Sequence, residues 1–435
     1  MSRYKRYEKY KDSGVEWIGE IPEHWEVSKL KYLTYCLDGK RIPLSSEQRG
    51  EMQGDIPYWG ANCIIDYVND WLIDGEVVLL GEDGAPFFDK YKDVAFYSNG
   101  RIWPNNHVHV LRALQSINAK LLTYILNTVD YSNYIKGSTR DKLTQAEMKN
   151  IFIQLLPVRE QKAIVNFLDQ KTAVIDDLIA DKEKLIELLQ EKRQAVITEA
   201  VTKGLDPNVK MKDSGVEWIG EIPEHWEIGR LKNSIKSCRN GIWGDEPQGD
   251  INDVACIRVV DFNRTNMEIE VNNLTIRNVP VSKQKMYLLK RGDLLIEKSG
   301  GGEKQPVGFV TIFNHDIPAV YANFIARMEL EEKVYSGFYK YVHYAMYSVR
   351  LNVKSIKQTT GIQNLDINYY FEESVIYPPL NEQKIIANFL DQKTAEIDSL
   401  VTETKNQIEK LKEYRQSLIF EAVTGKIDVR DYVID

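Results

Sequence analysis

Two 43-residue stretches of this chain, Glu160–Thr202 and Glu382–Thr424, contain neither proline nor glycine and are identical at 26 positions when aligned without a gap. Segments of that length, rich in Glu, Lys, Leu and Ala, read as one unbroken helix each, about 65 Å long at about 1.5 Å per residue. Pro157, Pro378 and Pro379 stand where the helices begin, and Gly204 and Gly425 where they stop. Apolar residues recur at heptad spacing, Leu168, Ile175, Leu189 and Val196 in the first copy and Leu390, Ile397, Leu411 and Leu418 in the second. Such a stripe needs a partner helix, and these residues are expected to form the core of a helix pair. The other copy is a better partner than a helix of a second protomer, because one chain holds both at high effective concentration. Midway, Lys182 and Thr404 replace the apolar residue, polar interruptions that fix register at a cost in stability. Antiparallel pairing then places one variable domain at each end.

A second duplication precedes the first. The stretch KDSGVEWIGEIPEHWE, Lys11–Glu26, recurs without a change at Lys212–Glu227. Between each opening stretch and its helix, residue identity largely disappears, yet a common layout persists. Gly75 and Gly84 bracket one apolar run, Gly292 and Gly301 another at the same spacing, and KGSTRDKL (136–143) answers KQTTGIQNL (357–365). The economical reading is an internal duplication whose variable parts diverged on one scaffold. Strand-like runs such as Glu76–Leu80, His107–Leu111, Asp293–Ile296 and Val307–Ile312 alternate with helical stretches such as Ala119–Asn127. The expected fold class is α+β: two α/β domains joined by two long antiparallel coiled-coil helices, with an internal pseudo-two-fold repeat. The expected boundaries are a first domain 1–159, a first helix 160–203, a second domain 204–381, a second helix 382–425 and a tail 426–435.

Composition narrows the function classes. No run of about 18 apolar residues is present, and the basic N-terminus has no apolar stretch behind it, so a cytoplasmic location is expected. Cys36, Cys63, Cys238 and Cys256 have no C-x-x-C spacing, suggest neither zinc site nor disulfide framework, and read as reduced core residues. His107 and His109 share one face of a strand but lack further ligands, so no metal site is expected. The net charge of −8 speaks against nucleic acid, but the acids are unevenly placed. The stretches 94–129, 271–292 and 333–365 contain bases and no acid, so local positive potential is available to a DNA backbone.

Catalytic signatures are wanting. In DIPYWG (55–60) Ile56 departs from the D-P-P-Y box of adenine methyltransferases, and SGGGEKQP (299–306) lacks the ending of a phosphate-binding loop. Asp169-Gln-Lys171 and Asp391-Gln-Lys393 match a nuclease D-x-K only formally, since both fall on the long helices. The chain reads as a binding device with no catalytic residue.

The openings DSGVEWIGEIPEHWE, the helix entries LPVREQK and PPLNEQK, and NFLDQKTA within the helices closely resemble the specificity subunit of type I restriction-modification systems. WPNNHVHVL (103–111) and GSTRDKL (137–143) look like motifs of that family's target recognition domains, although the second variable segment lacks a counterpart of the former. The resemblance spans essentially the whole chain. It implies that each variable segment reads one half of a split site on double-stranded DNA, and that the helices act as a ruler and dock two methyltransferase (modification) subunits. Restriction subunits would join that core. No cofactor is implied for this chain; S-adenosylmethionine, ATP and Mg would belong to the partners. One surface presented twice suits two copies of one partner. Trp17, Trp25, Trp218 and Trp226 are expected to pack the helix ends or contact that partner.

Base reading needs Arg, Lys, Asn, Gln, Ser or Thr. The candidates are Arg101, Asn105, Asn106, Lys136, Ser138, Thr139 and Arg140 in the first domain. In the second they are Arg239, Asn240, Lys298, Ser299, Lys354, Lys357, Gln358, Thr359, Thr360 and Gln363. Two other readings compete: a fragment of a fused restriction-methylation enzyme, and a coiled-coil adaptor without DNA recognition.

Overall fold

The computed structural model describes residues 4–135, 141–359 and 361–432, with the side chain of Thr359 excepted. Both long segments are single helices, Val158–Lys203 and Leu380–Val423, each starting directly after a proline. The chain divides into two compact units, Met1–Glu183 with Lys405–Asp435, and Lys184–Thr404. These boundaries differ from those expected at residues 159 and 203. The dividing points fall inside the helices because each helix half shares a core with a domain. Leu168, Ile175 and Leu418 are buried with Trp25, Leu80 and Leu121 in the first unit, and Leu390 with Trp226, Leu294 and Phe338 in the second.

Within each unit the helix segments run antiparallel. In the first, Lys182 Nζ donates to Gln407 Oε1 at 2.6 Å and Arg415 Nε to Asp176 Oδ1 at 2.8 Å. In the second, Arg193 Nε donates to Asp398 Oδ1 at 3.1 Å. Of the expected stripe, Leu168, Ile175, Leu390, Ile397 and Leu418 are buried, while Leu189, Val196 and Leu411 are half-buried. Thr404 is buried and returns its hydroxyl to Leu400 O at 2.7 Å.

The two domains repeat one layout. In the first unit the hairpin Tyr10–Asp12 and Glu20–Pro22 leads to strand Glu26–Lys29, which pairs with Phe152–Leu155 just before the helix. A four-stranded sheet has the order Thr34–Cys36, Val108–Ala113, Val77–Gly81, Ala95–Ser98. In the second unit, Met211–Asp213 and Glu221–Pro223 form the hairpin and Glu227–Arg230 pairs with Ser374–Tyr377. Its larger sheet begins in the corresponding order, Ile235–Asn240, Ile325–Leu330, Asp293–Glu297, Val310–Phe313. The equally spaced glycines flank the central strands, and all four, Gly75, Gly84, Gly292 and Gly301, take the positive φ that other residues avoid. The strand expected from Val307 starts at Val310, after Gly308 with φ of 103°. Helices Ala119–Leu126 and Ser336–Ser348 complete the domain cores. Among the described residues no helix is long and apolar enough to cross a membrane. The cysteines are free, but only Cys256 is buried; Cys63 and Cys238 are exposed, against expectation.

Candidate nucleic-acid interface

The repeated residues explain how each domain is seated. Trp25 Nε1 donates to Glu160 Oε2 at 3.0 Å and His24 Nε2 lies 2.7 Å from Glu160 Oε1. In the second unit Trp226 Nε1 donates to Glu382 Oε2 at 2.9 Å and His225 Nε2 lies 2.8 Å from Glu382 Oε1. The opening stretch therefore docks onto the first turn of the long helix, and Trp25 and Trp226 are fully buried there. Trp17 and Trp218 are half-buried against the same cores, with Trp218 Nε1 donating to Ser374 O at 3.2 Å. All four tryptophans pack with the domain cores, the first of the two roles expected for them.

The next helical residue repeats the pattern. Gln161 Nε2 donates to Leu156 O and Gln383 Nε2 to Pro378 O, both at 2.8 Å, while their Oε1 atoms accept from Asn118 N and Tyr335 N. Asp169 takes hydrogen bonds from Lys120 Nζ and Tyr124 OH at 2.6 and 2.9 Å, and Asp391 from Tyr341 OH at 2.7 Å, with Lys340 Nζ 2.8 Å away. The formal D-x-K matches are thus joints between helix and domain.

On the first domain, Arg101 is exposed and stacks its guanidinium 3.8 Å from the centre of the Trp71 ring, with Asp74 Oδ2 at 3.6 Å. Trp71, itself exposed, escaped the sequence reading because a lone aromatic in a loop carries no periodic signal. Asn106 is exposed, whereas Asn105 is buried and its Oδ1 accepts from His107 N at 2.8 Å. Asn105 therefore holds the turn before a strand and does not face solvent, which corrects its expected base-reading role. Lys136, Ser138, Thr139 and Arg140 lie outside the described residues.

On the second domain several candidates converge. Arg239 and Asn240 are exposed on an edge strand, and Lys298 Nζ donates to Asn240 Oδ1 at 3.0 Å. Ser299 Oγ bonds Asn364 Oδ1 at 2.6 Å, and the hairpin Ile356–Thr359 with Ile362–Leu365 sets exposed Gln358 opposite Gln363. Gln363 Oε1 accepts from Val307 N at 3.3 Å. Lys357 is paired with Asp366 at 2.7 Å, and that hydrogen bond holds the aspartate below the usual carboxylate range. Lys354 is spent on Glu373 at 2.8 Å, apart from the cluster. Thr360 and the Thr359 side chain lie outside the described residues.

One buried charge network sits behind the first domain's surface. His109 Nδ1 lies 2.7 Å from Asp38 Oδ2, and its Nε2 lies 2.9 Å from Leu143 O. Burial alone would raise the Asp38 carboxyl, but the bond and charge of His109, with Val110 N–H and Gln145, outweigh it and hold the group far below its ordinary value. Asp38, Glu82 and His109 lie close enough to share a metal ion. Arg41 and Lys142 already pair with Glu82, however, so the negative charge is met by side chains.

Two domains of one layout, differing in the polar side chains they expose and seated alike on paired helices, define a bipartite recognition protein. Family comparison gives the narrower class. The model of the type I restriction modification DNA specificity domain matches twice, over residues 22–188 and 224–410, and the chain belongs to that family. It is 26% identical over 370 residues to a putative type I restriction enzyme specificity subunit of Haemophilus influenzae, covering 84% of this chain and 87% of that one. With the type I restriction enzyme MjaVIII specificity subunit of Methanocaldococcus jannaschii it shares 24% identity over 428 residues, 94% of this chain and 95% of the other. A solved chain from work on assembly and conformational transition of the type I restriction-modification system superposes with a TM-score of 0.65 at 16% identity, covering 93% of this chain and 98% of that one, which establishes the shared fold.

Proposed function

We propose that this chain selects the DNA sequence for a type I restriction-modification complex and performs no bond-making step itself. Each unit reads one half of a bipartite site, and the helix pair sets the separation and docks two methyltransferase subunits, with restriction subunits joining that core. S-adenosylmethionine, ATP and Mg belong to those partners, and the complex works in the cytoplasm. The observation that carries this reading is the presence of two DNA specificity domains in one chain, alike in layout and different in exposed polar residues. Arg101 with Trp71, and the cluster of Asn240, Lys298, Ser299, Gln358 and Gln363, supply the donor and acceptor chemistry that base edges and phosphates require. The test is to co-express the chain with its methyltransferase subunit and sequence the methylated genome. A split motif with adenine methylated in each half is expected; methylation at an unbroken motif, or methyl transfer by the purified chain alone, overturns the reading.

A further inference from the structure

The long helices carry one arginine at the same place in each repeat, Arg193 and Arg415, and the facing helix carries one aspartate at the same place, Asp398 and Asp176. Each arginine lies four residues beyond a stripe residue, Leu189 or Leu411, at a position that a helix pair ordinarily fills with an apolar side chain. Arg193 is buried. Its Nε donates to Asp398 at 3.1 Å, its Nη2 donates to the carbonyl of Thr265, and its guanidinium stands 5.3 Å from the Tyr344 ring centre. Arg415 donates through Nε and Nη2 to both oxygens of Asp176, at 2.8 and 3.3 Å, and its Nη1 reaches Asp93 Oδ1 at 3.8 Å. Each side chain thus joins three bodies inside its own unit: the helix it grows from, the opposing helix and the recognition domain.

Each domain is also tied to both long helices: beside Arg415, Gln416 Nε2 donates to Asn127 O at 3.1 Å and Tyr91 OH to Glu413 Oε1 at 3.2 Å. Tyr124 bonds Asp169 of the first long helix, and Tyr341 bonds Asp391 of the second. In each unit the arginine comes from the other long helix, and among the described residues it is the one side chain there that bonds the opposing helix and the domain together. The fork geometry matters, because a guanidinium can hold a carboxylate and a further acceptor in one plane and an ammonium cannot.

We infer that Arg193 and Arg415 are positioning residues that lock each recognition domain to the helix pair and so restrict the number of base pairs tolerated between the two half-sites. The inference rests on the proposed reading of a split site. Adding one base pair moves a half-site by about 3.4 Å along the duplex and turns it by about 35° about the axis, so a joint with slack in both translation and rotation accepts a neighbouring spacing. No base contact is involved, and the bases read in each half stay the same.

The test uses the complex as it exists. Chains carrying Arg193→Ala, Arg415→Ala, Arg193→Lys or Arg415→Lys are co-expressed with the methyltransferase subunit, and genomic methylation gives the half-motifs and their spacing together. The wild type is expected to methylate one spacing. The variants are expected to keep both half-motifs and to raise methylation at spacings one base pair longer or shorter by about tenfold, equivalent to about 1.4 kcal/mol of lost discrimination. A soluble variant that methylates more slowly at the unchanged spacing overturns the inference, because a purely structural role lowers stability without widening the spacing. Should the alanine variants fail to fold, unchanged spacing in both lysine variants overturns it equally. If the wild type itself gives no split motif, the proposed function fails, which is a different result.

Discussion

His343 shows what burial does to one titratable side chain. Its Nδ1 shares a hydrogen bond with Tyr370 OH at 2.9 Å, its Nε2 has no partner among the described residues, and desolvation pushes its pKa down to about 3. The folded chain therefore keeps this ring neutral while the unfolded chain takes up a proton below about pH 6.5. Stability is complete above that value and drains away as the pH falls toward 3. Acid titration of unfolding should show the second unit weakening across this window, and His343→Leu should shift its acid midpoint to lower pH. An unchanged midpoint would mean that other groups govern acid unfolding. On the surface, Arg101→Ala removes a cation stacked on Trp71 and should weaken protection of one half-site only, by roughly 1 kcal/mol or more, in a footprinting titration. Equal loss on both halves would remove Arg101 from the reading surface.

At the scale of elements, the helix pair provides a graded comparison. Ile175 is buried in the first unit's core, whereas Leu188 on the same helix is half exposed. Ile175→Ala should cost about 2–4 kcal/mol in denaturant unfolding through lost burial and the cavity left behind, and Leu188→Ala no more than about 0.5 kcal/mol. The helices and their ends were legible in the sequence because apolar periodicity and bracketing prolines are local signals. The second row of the seam was not. It includes Thr172, Arg193, Thr394 and Arg415, polar residues that an apolar search skips, although their recurrence in both repeats was a usable mark. The central strands were read correctly from their apolar runs. Asn105 was misjudged because an exposed asparagine and one that accepts from a turn N–H look alike until the backbone around them is known. The pairing of Lys298 with Asn240 spans 58 residues and depends on strand order, which no local pattern records.

For the whole molecule, each helix is divided between the two units, so the first unit is assembled from two stretches far apart in the chain while the second is the continuous stretch between them. The first unit draws Leu418, Ile419, Ala422, Val423, Ile427 and Val429 into its core from the far end of the sequence, and Asp428 N donates to Lys5 O at 2.8 Å. A chain truncated after Thr404 should therefore lose the first unit and keep the second. Hydrogen exchange is expected to be fast at amides of Val77–Gly81 and protected at Asp293–Glu297; equal protection in both strands would contradict the division. The two joints at the arginines also differ in what they ask of the domain. Arg193 grips a main-chain oxygen, which every residue type supplies, while Arg415 grips the carboxylate of Asp93. Position 265 is consequently free to mutate as the second domain acquires new targets, whereas a new specificity that drops the acid at position 93 gives up one of the contacts tying the first domain to the second long helix and leans on those of Tyr91 and Asn127.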